Sequence, residues 1–154
     1  MSSPFDADRT AEPTLVVGHG QDPSSDHALT AAVDLGRRLG GRLHVVHVID
    51  LNDYPVNIDA PDWEQRGAEA VAAEQRHVES LLADAPVPWS YEACHGDPAK
   101  VLCSAAEEHD ALLIVVGSRG EGLRRALGRL MDPSISHGVI QRQHRPVLVV
   151  PTHD

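Results

Sequence analysis

One run of seven residues constrains this chain more than any other: Ala111-Leu112-Leu113-Ile114-Val115-Val116-Gly117, without a single polar side chain. It falls far short of the roughly 20 apolar residues that span a bilayer. It therefore reads as a central strand buried on both faces, the kind of strand found in parallel sheets covered by helices.

The rest of the chain supplies such a sheet. Thr14–Gly18 is a short β-rich run ending in glycine, and Leu43–Ile49 reads as a second strand. Val87–Cys94 alternates well enough for a third, and Val147–Val150 forms a last strand between Pro146 and Pro151. The segments between them have helical spacing. From Asp26 to Leu39 the stripe is Ala28, Leu29, Ala32, Val33, Leu35 and Leu39, with Ser24 and Ser25 as N-caps and Gly40-Gly41 as the stop. Trp63–Ala83 carries Ala70, Val71, Glu74, Val78, Leu81 and Leu82 at helical intervals. Asp97-Pro98 opens a helix with an N-cap acid and a first-turn proline, and that helix stops near His109-Asp110. Ser134–Gln143 reads as a further helix and Asp50–Pro61 as a loop. Strands alternating with helical crossovers require a parallel sheet covered on both sides, an α/β three-layer sandwich. No internal repeat is present.

A length of 154 residues fits one domain, read here as residues 13–154 behind a disordered leader, residues 1–12. Aromatic residues make up 3%, so Leu, Val, Ile and Ala must build the core. The formal charge of −10 opposes phosphate backbones and acidic lipid, which argues against a nucleic-acid or membrane-binding face. Met1–Glu12 is polar and has no apolar secretory core, so the expected compartment is the cytosol. Cys94 and Cys103 then read as reduced thiols that pack as small hydrophobes.

In an open parallel sheet, ligands bind at the carboxyl ends of strands where the strand order switches direction. Two strands here end in glycine-rich turns: Val17-Gly18-His19-Gly20 and Val116-Gly117-Ser118-Arg119-Gly120. Glycines allow close backbone approach and a cradle of amide donors for an anion, although a strand-to-helix turn often needs glycine for its conformation alone. Arg119, Arg124, Arg125 and Arg129 crowd the segment after the second turn, with Arg142 and Arg145 further on. Such a cationic stretch suits phosphate oxygens, and equally suits solvent or an acidic partner. No Walker loop, nucleophile elbow or zinc-binding H-E-x-x-H helix occurs, and Pro23 stands where a dinucleotide fingerprint needs its third glycine. Ten histidines invite a metal reading. His44 and His47, three apart on a strand, point to opposite faces; His109, His144 and His153 read as surface residues. With no Cys or carboxylate cluster at ligand spacing, no metal site is expected. His19 alone sits where it could touch a ligand.

Across residues 14–151 the chain resembles the universal stress protein family. The resemblance rests on the first strand with Pro23-x-Ser25-x-x-Ala28-Leu29 and on Leu35-Gly36-Arg37-Arg38-Leu39-Gly40-Gly41-Arg42-Leu43-His44-Val45-Val46-His47-Val48. It rests also on Gly96-Asp97-Pro98-Ala99, on Leu112–Gly120, and on Arg145-Pro146-Val147-Leu148-Val149-Val150-Pro151. It implies a five-stranded parallel sheet of order 3-2-1-4-5, of the adenine nucleotide alpha hydrolase type. It also implies a homodimer formed through residues 146–151. Many members bind ATP, some with Mg²⁺, through G-x-x-G-x9-G-[ST]. By position, the resemblance assigns the nucleotide to Gly18, His19 and Gly20, to Val48, to Val116, Gly117, Arg119 and Gly120, and to Ser134, Ile135 and Ser136.

Two departures stand out. ATP-binding members carry Asp at the first turn, where this chain has Gly20. Twelve residues, not nine, follow Gly120, and Pro133 replaces the next glycine, which removes one amide donor. The expected function is a stress-response or regulatory protein that binds an adenine nucleotide at the carboxyl ends of strands 1 and 4. No general base or metal-holding acid is evident in the strand-end turns, so any hydrolysis is expected to be slow or absent. The alternative is a non-nucleotide homologue, a dimeric interaction module presenting Arg124, Arg125 and Arg129 to a partner protein.

Overall fold

The computed structural model describes residues 12–20, 23–49, 63–118 and 145–151. Five strands form one parallel sheet in the order β3-β2-β1-β4-β5. They are β1 (Thr14–His19), β2 (Arg42–Ile49), β3 (Trp89–His95), β4 (Leu113–Gly117) and β5 (Val147–Val150). Three described helices connect them: α1 (Pro23–Leu39), α2 (Trp63–Leu82) and α3 (Pro98–Glu108).

Handedness places the helices. The chain moves outward from β1 to β2 to β3, then crosses back past β1 to β4. Right-handed crossovers therefore put α1 and α2 on one face and α3 on the other. Two cores result. Leu15, Val17, Leu43, Val45 and Val115 pack with Ala28, Leu29 and Ala32 of α1 and Val78 and Leu82 of α2. Val16, Val46, Ile114 and Val116 pack with Leu102, Ala105 and Ala106 of α3. Strand parity thus decides which layer each strand residue meets.

Capping sets the helix ends. Asp97 is the N-cap of α3, its side chain accepting from Lys100 N at 3.2 Å, with Pro98 at the first turn. Gly40, at φ 65°, ends α1, and Gly41 N donates to Gly36 O at 2.8 Å.

Several boundaries differ from expectation. β3 begins at Trp89, not Val87, because Pro88 has no amide hydrogen to give the ladder; its carbonyl accepts from Leu43 N. β4 begins at Leu113. Ala111 is buried but its N still bonds Ala106 O at the end of α3, and Leu112 is 47% exposed, so unbroken burial of the apolar run starts at Ile114. α1 begins at Pro23, which places Ser24 and Ser25 inside its first turn. Cys94 and Cys103 are half-buried rather than core residues, and Cys94 Sγ lies 3.1 Å from Glu92 Oε1. Burial, helped by Glu92, pushes the Cys94 thiol up to about 11. The helix expected at Ser134–Gln143, the loop at Asp50–Pro61 and residues 1–11 of the leader lie outside the described residues.

Candidate functional site

The strand order reverses between β1 and β4, so their carboxyl ends border the cleft where such sheets bind ligands. The two turns meet there. A Cβ added at Gly117 would lie 2.6 Å from both Ser24 O and Ser24 Oγ, so the end of β4 abuts the first turn of α1. Gly117 follows Val115 by two residues and so faces the α1 layer. Gly18 has the opposite parity: a Cβ there would meet Leu102 at 3.1 Å and Val116 at 3.3 Å, so Gly18 admits α3 close to the sheet. Gly20 N donates to Ser25 Oγ at 3.0 Å, and among the described residues a Cβ at Gly20 would find only that hydroxyl oxygen, 3.8 Å away. Val48 is partly buried and packs on the α3 side of the sheet. Val116 is wholly buried.

His19 is the side chain most tightly held at this end. The parity of β1 turns it toward α1 and α2, where it is 2% exposed. Its Nε2 lies 2.9 Å from Asp26 Oδ1, in the first turn of α1. Its Nδ1 lies 2.6 Å from Glu74 Oε1 of α2, a close charge contact in which neither atom has an aligned hydrogen bond among the described residues. His77, one turn beyond Glu74, places Nε2 3.0 Å from both Asp26 carboxyl oxygens. Burial works against the imidazolium of His19, but Glu74 and Asp26 outweigh it and raise the pKa above its ordinary value. Burial likewise opposes the Asp26 carboxylate, yet hydrogen bonds to His19 and His77 hold its pKa below the usual range. His47, on the same face, is held down chiefly by burial.

A second histidine cluster lies under α3. His44 Nδ1 lies 2.7 Å from Ser90 Oγ, and Nε2 lies 3.3 Å from Glu92 Oε2. The His109 ring stacks on His44 at 3.9 Å between centroids. His44 and His47 therefore do face opposite layers. Burial, with His109 adjacent, lowers the His44 pKa.

The structure brings Gly18, His19, Gly20, Val116 and Gly117 to one end of the sheet. Arg119, Gly120, Ser134, Ile135 and Ser136 lie outside the described residues. Arg145, counted in the late basic stretch, is used elsewhere. It donates to Ala111 O at 2.8 Å and pairs with Asp110 at 3.2 Å, tying the start of β5 to the start of β4 at the opposite end of the sheet.

Asp26, Glu74 and His77 were missed as site residues. Their one sequence signal was Glu74 itself, an ionisable group amid the apolar stripe of α2. Such a residue has to meet a polar partner when it is buried.

A doubly wound parallel sheet with its cleft at the β1/β4 reversal defines an α/β fold of the adenine nucleotide alpha hydrolase type. The model of the universal stress protein family matches residues 13–151. The chain belongs to that family. It is 30% identical over 106 residues to universal stress protein Slr1101 of Synechocystis, covering 67% of this chain and 92% of that one. A universal stress protein solved in complex with cAMP superposes with a TM-score of 0.60 at 24% identity, over 91% of this chain and 97% of that one. The Archaeoglobus fulgidus protein in complex with dAMP gives 0.60 at 19% identity, over 90% and 97%.

Proposed function

We propose that this universal stress protein binds an adenine nucleotide at the carboxyl ends of β1 and β4, acting as a stress-response or regulatory protein in the cytosol. One observation carries the reading. Gly117 sits so close to Ser24 that the β4 turn and the first turn of α1 meet at the reversal of strand order, the place where such sheets take ligands. The cAMP and dAMP complexes of the structural relatives support the same ligand class. ATP is the ligand favoured by the family pattern, and magnesium would travel on its phosphates with few protein ligands of its own. Arg119, Gly120, Ser134, Ile135 and Ser136 would complete the phosphate side. Two free cysteines accord with a reducing compartment.

Fresh protein is denatured and any released small molecule identified by mass spectrometry. The nucleotide-free chain is then titrated calorimetrically with ATP, ADP and AMP, with and without Mg²⁺. Released adenylate, or saturable heat, is the expected result; neither released nucleotide nor heat at millimolar ligand refutes the reading. Gly20→Asp sharpens the test. Among the described residues only Ser25 Oγ comes within 4 Å of a Cβ placed there, and a carboxylate making one charge-assisted hydrogen bond to the nucleotide should tighten binding about tenfold to a hundredfold.

The interaction-module reading draws on β5. It is the outer strand of the sheet, with Leu148 41% and Val149 46% exposed. An apolar edge strand invites pairing, and a second copy of the chain joined through residues 146–151 would cover it. A homodimer is compatible with either reading.

A further inference from the structure

We propose that His19, Asp26 and His77 form a site for a divalent transition metal ion, zinc fitting best, with Glu74 as the group that orients His19. The ligating atoms of the three residues all lie within 4.8 Å of one another. Asp26 lies 2.9 Å from His19 Nε2 and 3.0 Å from His77 Nε2. Ligands bonded tetrahedrally to zinc at about 2.0–2.2 Å stand about 3.3–3.5 Å apart, so the two Asp26–imidazole separations need to widen by only a few tenths of an ångström, while the two imidazole nitrogens already lie within 4.8 Å of each other. Two imidazoles and one carboxylate form a donor set that zinc uses with a fourth position open to water or a ligand oxygen.

Two further features mark a built site. His19 has a carboxyl behind it: Nδ1 lies 2.6 Å from buried Glu74, a charge contact that a small rotation of the ring turns into the hydrogen bond that fixes the tautomer and aim of a metal-binding imidazole. The site is also reachable. The side chains of His77 and Asp26 are 48% and 40% exposed, whereas that of His19 is 1% exposed at the floor. Both ring nitrogens of His19 face carboxyl groups, so the cluster is arranged around a positive charge. Binding exchanges the Nε2 proton for the metal and releases that proton to solvent. The His44–Glu92–His109 group meets the same distance criterion, but there one imidazole lies stacked on the other.

The test uses the whole chain, stripped by chelator, free of nucleotide, and titrated calorimetrically with zinc chloride. Cobalt(II) absorption reports the geometry. Wild type should take up one equivalent per chain with a tetrahedral cobalt spectrum. His77→Ala, an exposed substitution whose fold is checked by circular dichroism, and Asp26→Asn should each weaken binding by more than tenfold. Glu74→Gln should weaken it about tenfold to a hundredfold, as loss of an orienting carboxyl does. His109→Ala should bind like wild type. Absence of zinc binding below millimolar overturns the proposal, as does binding that survives His77→Ala and Asp26→Asn or disappears with His109→Ala. Because nucleotide is absent throughout, failure here is distinct from failure of the nucleotide reading.

Discussion

Replacing Gly117 by Ala tests whether the meeting of β4 and α1 is as tight as the geometry requires. The new methyl would stand 2.6 Å from Ser24 O and Oγ and 2.7 Å from Ser24 C. Comfortable carbon contacts start at about 3.5 Å, so nearly 1 Å must be found. The obstructing atoms include the backbone of the first turn of α1. That helix is anchored by Ala28, Leu29 and Ala32, each no more than 1% exposed, so it cannot shift alone. Overpacking of this kind costs about 1–3 kcal/mol. Restricting the unfolded chain returns about 0.4–1 kcal/mol, which leaves a net loss of at most about 2.6 kcal/mol and of about 1.3 kcal/mol at mid-range. Gly20→Ala is the matched control. Its nearest neighbour among the described residues would be Ser25 Oγ at 3.8 Å and its φ lies outside the left-handed region, so stability should be unchanged or raised by up to about 1 kcal/mol. Urea denaturation followed by circular dichroism measures both. The expected pattern is an unchanged m-value with a lower midpoint for Gly117→Ala only, matched by a fall in Tm of about 2–8 °C. If Gly117→Ala is as stable as Gly20→Ala, the two turns do not meet closely and the main support for the nucleotide site is gone.

Other consequences follow from charge and edges. The stability lost in Asp26→Asn should depend on pH with a definite sign. His19, raised, contributes stability that is full below 6.5 and fades as pH climbs through its folded value; Asp26, lowered, contributes stability above its ordinary range that fades as pH falls through its folded value. The gap between wild type and Asp26→Asn in denaturation midpoint should therefore peak between those limits, and a flat gap contradicts the ion pair. Wild type should also weaken as pH falls below 6.5, because His44 and His47 are held neutral by burial. Val149→Lys places a charge on the exposed edge strand and should convert a dimer to monomer in light scattering at micromolar concentration; a wild type already monomeric there refutes pairing through β5. Asp97→Ala removes the N-cap of α3 and should cost about 1 kcal/mol in urea denaturation, whereas Asp97→Asn should recover most of it.

Much of the architecture was legible because it rests on local chemistry. Apolar runs of Val, Ile and Leu mark strands, stripes at helical spacing mark α1, α2 and α3, and Asp97-Pro98 fixes a helix start within one residue. Alternation of the two element types forces a parallel sheet. The order 3-2-1-4-5 came from family resemblance, and the strand pairing agrees with it. The errors fell where a backbone partner decides the outcome. Pro88 withholds an amide from the β3 ladder, and Ala111 is still bound to α3.

The sequence by itself determined which residues are apolar, how they are spaced, and that glycines stand at the ends of two strands. Only the tertiary structure decided that His19, Asp26, Glu74 and His77 share one place, although residues 19 and 77 belong to different elements far apart in the chain. Ligand spacing along a sequence detects clusters within one helix or loop. This cluster is made by the strand parity that aims His19 at the α1/α2 layer and by the crossover handedness that lays both helices on that face, and neither leaves a mark at any single position.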